Sequence, residues 1–287
     1  MNILIVSKYS KLEWEEKTLG LTRDELIKKY SKEKANLNAI LKSHEKQLAV
    51  RNTFKSVFNN ASFVMLEDAN KQVLDLYDLV IVCGGDNALT KVSHYLHSTP
   101  LLGINSDPER SSGCLTRYKI KDDQDVYDLA EKLDFGEFNI EQWTRLEAMV
   151  DGKVITSATS EYFFGERLRK DMSRHILVYR GQEIEQKCSG LIVATGAGST
   201  GWLRSSGHNM GIWKPTEKWF GFVATEPYNK TGFEYRELNE DEELKLYSLN
   251  DNDGMCSVDS WEEVPFSRGS EARIYLGEPL QVLVPNG

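Results

Sequence analysis

The sequence has few cysteines, and they lie far apart. None of the four forms a CxxC pair: Cys83, Cys114, Cys188 and Cys256. Close cysteine pairs are typical of zinc sites and disulfide frameworks, so their absence argues against both and favours a reduced, cytoplasmic protein. His94 and His97 have no third ligand type nearby, and an ordinary helix surface explains them better than a metal site.

The sequence also lacks long apolar runs and an excess of basic residues. No stretch of ~18 apolar residues exists, so no transmembrane helix is predicted. The first residues, MNILIVSKYS, lack the layout of a signal or transit peptide. Acidic residues outnumber basic ones by 44 to 35, which gives a net charge of -9. This balance argues against a nucleic-acid or membrane partner, and an anionic substrate would need a local positive site.

Strands alternate with helices over about the first 115 residues, which predicts a parallel sheet of βαβ units. The predicted strands are residues 2–6, 61–66, 79–83 and 101–104, and the predicted helical segments lie within 22–59 and at 88–96. The tract 22–59 contains neither proline nor glycine, and its charges alternate in sign, as in solvated helical faces.

The pattern changes after residue 118. One more helix is predicted at 122–133, and short alternating segments such as HILVYRG and WFGFVAT follow from Trp143. They are typical of an antiparallel sheet or sandwich. We therefore predict an α/β domain over 1–118 and a β-rich domain over 119–287, with a cleft between them. The last ~15 residues can return to the first domain.

The motif LVIVCGGDNALT leads from a buried-strand pattern into two glycines and a helix. Glycines let the backbone turn sharply and approach a ligand closely. A helix starting near Ala88 offers N–H groups to an anion, and ligands gather at the carboxyl ends of parallel strands. Gly84, Gly85 and Asp86 are therefore a candidate ligand loop. The alternative is that Asp86 only caps the next helix.

A second glycine-rich turn, ATGAGSTGW, presents the hydroxyls of Ser199 and Thr200 beside backbone N–H groups. Trp202 can stack on a heteroaromatic ring, or it can be an ordinary core aromatic. Small residues leave room for a flat ligand or a phosphate against the main chain: Gly196, Ala197, Gly198 and Gly201.

The third motif, ATSEYFFGERL, carries Glu161 after a strand. Its carboxylate can accept hydrogen bonds from ribose hydroxyls. The alternative is a surface carboxylate in a chain that has many.

In this order, the three motifs resemble the NAD kinase family. That family has a GGDG loop, an Asn-Glu pair after a strand and a Gly-Ser-Thr-Ala-Tyr turn, which correspond to residues 84–87, 160–161 and 198–202 here. The segment PLLGINSDPERSSGCL is similar to the family's next strand and loop. The DPERS insertion, FFGERL, CSGL and Trp202 resemble the mitochondrial-type branch and its bacterial relatives. The resemblance covers nearly the whole chain.

The resemblance implies a Rossmann-like α/β domain, a β-rich dinucleotide-binding domain and an active site in the cleft between them. The implied reaction transfers the γ-phosphoryl group of ATP, with Mg²⁺ carried mainly by the nucleotide, to the 2′-hydroxyl of the adenosine ribose of NAD. Asp86 would be the general base. A homodimer or higher homo-oligomer is also implied.

Two sets of binding residues follow from the resemblance. The implied substrate-binding set is Ser160, Glu161, Ser189, Thr200, Gly201, Trp202 and Ser205. The implied phosphate and nucleotide loops contain Gly84, Gly85, Asn87, Asn105, Gly196, Gly198 and Ser199.

Some positions depart from the family pattern. Asn87 replaces a glycine, and although Asn tolerates a positive φ, its side chain fills space beside the phosphate donor. Ser160 replaces Asn, Ser189 stands where many bacterial members have Asp, and Ser260 replaces Gly in the segment CSVDSWEEVPF. Two alternatives stay open: a kinase of the same fold acting on another nucleoside or dinucleotide, and a non-catalytic nucleotide-binding protein.

Overall fold

The computed structural model describes residues 1–33, 35–74, 76–207 and 211–286 of the 287-residue chain. It divides into two compact units, unit 1 (Met1–Ile140 with Val282–Gly287) and unit 2 (Glu141–Gln281). The sequence placed the boundary at 118, whereas unit 1 continues to 140 because the helix that follows packs its apolar face into the first core. The predicted combination of an α/β domain and a β-rich domain is confirmed.

Unit 1 contains a seven-stranded sheet of order β2-β1-β3-β4-β19-β6, with β5 paired to β4. The β1–β2, β1–β3, β3–β4, β4–β5 and β4–β19 pairs are parallel. All six residues of β3 are buried, as its continuous apolar run predicts. The strands are β1 (Ile3–Ser7), β2 (Ser62–Met65), β3 (Leu79–Gly84), β4 (Leu101–Asn105), β5 (Tyr118–Lys119), β6 (Phe138–Trp143) and β19 (Leu280–Pro285).

Six helices lie in the described part of unit 1: α1 (Lys11–Leu19), α2 (Arg23–Lys32), α3 (Leu37–Val57), α4 (Lys71–Leu74), α5 (Asp86–Ser93) and α6 (Gln124–Asp134). The predicted tract 22–59 contains α2 and α3 and is interrupted between them; Lys34, at this break, lies outside the described residues. Asn36 starts α3 by accepting a hydrogen bond from the Ala39 N–H. Helix α1 was not predicted from the sequence, although Ser10 and Glu13 form a capping box there.

The core of unit 1 forms between α3 and the sheet. Val50 and Phe54 of α3 pack with Ile5 of β1 and Ile81 of β3. Because β1, β3 and β4 are parallel neighbours, their last residues lie at one edge of the sheet, and the loop that carries Asp86 starts there.

Unit 2 is a sandwich of two six-stranded sheets. The first has the order β11-β10-β15-β18-β7-β8, and the second has the order β14-β13-β12-β9-β16-β17. The first comprises β7 (Leu146–Val150), β8 (Lys153–Val154), β10 (Ser173–Tyr179), β11 (Gln182–Cys188), β15 (Leu244–Ser248) and β18 (Glu271–Leu276). The second comprises β9 (Glu161–Glu166), β12 (Gly190–Ala194), β13 (Trp219–Thr225), β14 (Tyr235–Asn239), β16 (Gly254–Val258) and β17 (Glu262–Pro265).

One apolar cluster joins the two sheets of unit 2, with Leu177 and Leu246 from the first and Phe164 and Phe222 from the second. A further cluster covers the outer face of the second sheet and includes Leu203 of the short helix α7 (Trp202–Ser205). Strands β9, β12 and β13 are consequently buried on both faces. Among the described helices of the whole chain, none has the length and apolar character that a membrane span needs.

Candidate functional site

In unit 1, Gly84 and Gly85 form the turn between β3 and α5. A Cβ atom built on Gly84 would lie 2.7 Å from the Cβ of Ala88, so a side chain there would collide with the first turn of α5. Gly85 is the N-cap of α5 in an extended conformation, and Asp86 is the first helical residue. The two glycines thus bring Asp86 close to the end of the sheet.

The Asp86 carboxylate is held by another loop and not by its own helix. Oδ2 accepts the N–H of Cys114 at 2.9 Å, and Oδ1 accepts the N–H groups of Leu115 at 2.9 Å and Thr116 at 3.3 Å. No side-chain cap bond joins Asp86 to α5, so the N-cap interpretation is wrong. A carboxylate has about four acceptor positions, and the three N–H groups leave one of them on Oδ2.

The loop that donates to Asp86 is fixed at its start by Asn105. The buried amide of this residue donates to the Ser111 carbonyl at 2.8 Å and accepts the Asp107 N–H at 3.1 Å. Gly113, at φ 59°, has no space for a Cβ, which would lie 2.5 Å from Asn105 Nδ2. The hydrogen bonds of Asn105 to Asp107 and Ser111 therefore hold this loop in its conformation.

Contacts with α3 anchor the same loop from the outside. Ser43 donates to the Asp107 carboxylate at 2.5 Å, and Lys42 and Lys46 pair with Glu109 at 3.0 and 3.5 Å. The DPERS insertion was visible in the sequence, but no role was predicted for Asp107 or Glu109. Their contacts link the insertion to the helical tract that precedes it.

Asn87 lies in the first turn of α5 with an exposed side chain. It is not among the residues with a positive φ. The backbone of Asn87 is therefore ordinary helix. The tolerance of Asn for a left-handed conformation plays no part at this position.

In unit 2, Asp259 organises the start of β9. Its carboxylate accepts three consecutive N–H groups, from Thr159 at 2.9 Å, Ser160 at 2.8 Å and Glu161 at 2.9 Å. Asp259 and Ser260 both have positive φ values, 47° and 61°, in the turn between β16 and β17. In the sequence, Ser260 was singled out here as the replacement of a family glycine, but no pattern identified Asp259 as the residue that holds Ser160 and Glu161.

Glu161 is buried, with 9% of its surface exposed, so the interpretation as a surface carboxylate is wrong. Burial, together with the nearby Asp259 carboxylate, raises the pKa of Glu161 to about 8. Both effects disfavour a negative charge at this position. At neutral pH the side chain is mainly a carboxylic acid, which can donate one hydrogen bond and accept others.

The glycines of the turn 195–201 allow close backbone packing. A Cβ on Gly196 would lie 2.1 Å from the Lys214 carbonyl oxygen, and one on Gly198 would lie 2.3 Å from the Ser160 carbonyl oxygen. The Ser199 hydroxyl donates to the Gly196 carbonyl at 2.7 Å and accepts the Trp213 N–H at 2.9 Å. The turn is thereby fixed against the Ser160–Glu161 pair, and the same Cβ on Gly198 would also lie 3.0 Å from Glu161 Oε2.

The other predicted residues of unit 2 fall into two places. Thr200 is half-buried and Gly201 is exposed beside the turn, and Trp202 stacks on Phe163 with ring centres 4.8 Å apart. Ser205 lies one helical turn further, where its hydroxyl donates to the Trp202 carbonyl at 2.9 Å.

Ser189 lies away from this group. It precedes β12 and donates to Glu226 at 2.6 Å, whereas the turn follows β12. The five residues of β12 separate Ser189 from Thr195, and the six steps along the strand correspond to roughly 20 Å. Within one chain, Ser189 is therefore not brought together with Glu161.

The described residues contain no group of three or more His, Cys, Asp or Glu side chains that could hold a metal ion. The carboxylates of Asp86 in unit 1 and Asp259 in unit 2 instead accept backbone N–H groups. A metal ion bound with a nucleotide would need no such protein cluster.

No protein-family model matches the chain. Among curated proteins, the NAD kinase of Pseudomonas paraeruginosa is 30% identical over 179 residues, which cover 55% of this chain and 59% of that protein. The probable NADH kinase of Oryza sativa subsp. japonica is 29% identical over 190 residues, covering 54% and 55%. The chain thus spans less than two thirds of the length of these relatives.

Two solved structures have a similar fold over nearly the whole chain. The NAD kinase from Archaeoglobus fulgidus in complex with ATP has a TM-score of 0.68 at 18% identity, covering 98% of this chain and 93% of that one. The yeast NADH kinase complexed with NADH has a TM-score of 0.66 at 14% identity, covering 99% and 83%. The chain is therefore similar in sequence to NAD kinases over about half of its length and has the fold of the two solved kinases, as the three motifs predict.

Proposed function

We propose that this relative of the NAD kinases transfers the γ-phosphoryl group of ATP to the 2′-hydroxyl of the adenosine ribose of NAD, giving NADP and ADP. The observation that carries the proposal is the Asp86 carboxylate, which lies at the carboxyl edge of the sheet. Three backbone N–H groups fix it, and one acceptor position on Oδ2 is left.

In the proposed step, Asp86 Oδ2 accepts the proton of the 2′-hydroxyl while the hydroxyl oxygen forms a bond to the γ-phosphorus. The bond between that phosphorus and the β,γ-bridging oxygen breaks, and its electron pair leaves with ADP. Phosphoryl transfer needs positioning and neutralisation of charge more than covalent chemistry by the protein. A carboxylate fixed by main-chain donors supplies the positioning, and Mg²⁺ bound with ATP supplies charge neutralisation when present.

We assign the binding of the dinucleotide to unit 2. Glu161 is buried and mainly protonated at neutral pH, so it can both donate to and accept from a ribose hydroxyl. Thr200, Gly201 and Trp202 would line the same pocket. Gly196, Gly198 and Ser199 support it indirectly, because their described contacts hold the turn in place.

NADH is the second candidate acceptor. Two of the compared proteins are named NADH kinases, and one of them was solved with NADH. The two acceptors differ only in the nicotinamide ring, and the reacting ribose is the same. A comparison of kcat/KM for the two dinucleotides decides between them.

The proposal is tested by incubating the purified chain with ATP, Mg²⁺ and NAD and identifying the products by mass. NADP and ADP in equal amounts, each dependent on both substrates, are expected. Binding of NAD without formation of NADP would overturn the proposal. A parallel panel of nucleosides and other dinucleotides then separates a kinase with another acceptor from a protein that only binds nucleotides.

A homodimer or higher homo-oligomer is proposed on the resemblance alone, and a cytoplasmic location is proposed on the wide separation of the four cysteines. Sedimentation equilibrium measures the assembly directly. A mass of 32.7 kDa at all concentrations would contradict a homodimer.

A further inference from the structure

Lys8 follows β1, and the structure holds its backbone from two directions. Its N–H donates to the Cys83 carbonyl at the end of β3 at 3.4 Å, and its own carbonyl accepts Arg51 Nη2 at 3.0 Å. Arg51 is itself fixed by an ion pair with Glu13 at 2.8 Å. Lys8 therefore stands at the same edge of the sheet as the loop that carries Asp86.

The side chain of Lys8 passes beside Gly84. A Cβ atom built on Gly84 would lie 3.5 Å from Lys8 Cδ and 3.8 Å from Lys8 Cγ. These are ordinary contact distances, so the lysine stem packs along the glycine that precedes Gly85 and Asp86. Lys8 is half-buried as a residue, so packing against Gly84 restrains its stem.

Lys8 differs from other basic residues of unit 1 in its ionic contacts. Arg51 pairs with Glu13, and Lys42 and Lys46 pair with Glu109. The Lys8 ammonium forms no ion pair and no hydrogen bond with any residue in the described part of the chain. A half-buried lysine whose ammonium group has no partner among the described residues is consistent with a site for an anion from outside the chain.

We propose that Lys8 binds a phosphate group of the nucleoside triphosphate donor. This inference rests on the proposed kinase function and adds a residue to its donor site. An ammonium group is a compact charge with three donors, which suits phosphate oxygens. Beside the loop of Gly84, Gly85 and Asp86, it would offset the negative charge that develops on the β,γ-oxygens as the phosphoryl group leaves.

The test compares Lys8→Met, which removes the charge and keeps a long apolar stem, with Lys28→Met as a matched control. Lys28 is exposed on α2, and both substitutions change the net charge equally. Calorimetry with ATP is expected to show about tenfold weaker binding for Lys8→Met, because a charge-assisted contact is lost, and no change for Lys28→Met. NAD affinity should be unchanged in both, and Lys8→Arg should restore most of the ATP affinity.

Binding of ATP is measured without NAD, so the result does not depend on turnover. Formation of NADP by a Lys8→Met variant with the ATP affinity and KM of the wild type would overturn the role of Lys8 and leave the kinase function standing. Weaker ATP binding by Lys8→Met in a protein that forms no NADP would support the site and overturn the kinase function. Failure of the wild-type chain to bind ATP would overturn the Lys8 proposal. Equal unfolding midpoints for both variants show that folding does not cause the difference.

Discussion

Three carboxylates of this chain each accept three consecutive backbone N–H groups. Asp86 accepts those of residues 114–116, Asp259 those of 159–161, and Glu166 those of 251–253. Charge-assisted bonds of this kind are stronger than neutral ones, so each carboxylate fixes the loop that donates to it. The same bonds fix the carboxylate, and at Asp86 this gives a defined oxygen for the proposed chemistry.

Burial, with the nearby Asp259 carboxylate, raises the pKa of Glu161 to about 8 from the ordinary value of 4.5. Between these two pH values the folded protein binds more protons than the unfolded chain. The contribution of Glu161 to the free energy of unfolding is therefore fully present below the ordinary pKa and decreases as the pH rises through this window.

Glu161→Gln removes this titration and keeps the shape of the side chain. We expect the variant to gain stability relative to the wild type as the pH is raised from 5 to about 8, because only the wild type must bury a developing charge. Urea unfolding at several pH values measures the difference. Glu45→Gln, at an exposed position of α3, is the matched control and should follow the wild type. Parallel pH profiles for the wild type and Glu161→Gln would contradict the account.

At the scale of elements, several strands were predictable because their side-chain periodicity is local. The buried run of β3 and the alternation in β10 were both visible in the sequence. The break between α2 and α3 contains no proline or glycine, so composition alone did not show it. The capping residues Ser10, Thr22 and Asn36 were the available signals for the helix starts.

The roles of the glycines could not be predicted, because their neighbours are distant in the sequence. Gly198 packs on the carbonyl of Ser160, and Asp259 holds N–H groups about one hundred residues away, a separation at which sequence patterns carry no signal. The motifs predict candidate site residues, but they do not distinguish a glycine that leaves room for a ligand from one that leaves room for another part of the backbone.

Two glycines of the turn 195–201 allow this distinction to be tested. Gly198→Ala places a Cβ 2.3 Å from a backbone oxygen and should lower the free energy of unfolding by about 2 kcal/mol or more. Gly201→Ala is the matched control, since its Cβ meets the Gly198 carbonyl oxygen at an ordinary 3.6 Å. Denaturant unfolding measures both. Equal effects of the two substitutions would show that backbone packing does not explain Gly198.

At the scale of the whole molecule, both proposed substrates are anions and the chain carries a net charge of -9. Long-range attraction therefore does not favour their binding, and local groups must provide it. The N–H groups at the start of α5 and the Lys8 ammonium in unit 1 are such groups. The likeness to solved NAD and NADH kinases extends over nearly the whole chain, so both units have counterparts there.

The most direct test of this account is a comparison of Asp86→Asn with the wild-type chain, with NAD affinity and NADP formation measured on the same preparations. Asparagine keeps the size of the side chain but removes the proton acceptor, so we expect NADP formation to fall at least ~100-fold. NAD affinity should stay within about threefold, because unit 2 is assigned to hold the dinucleotide. NADP formation within tenfold of the wild-type rate, or a parallel loss of NAD binding in a folded variant, would contradict the account.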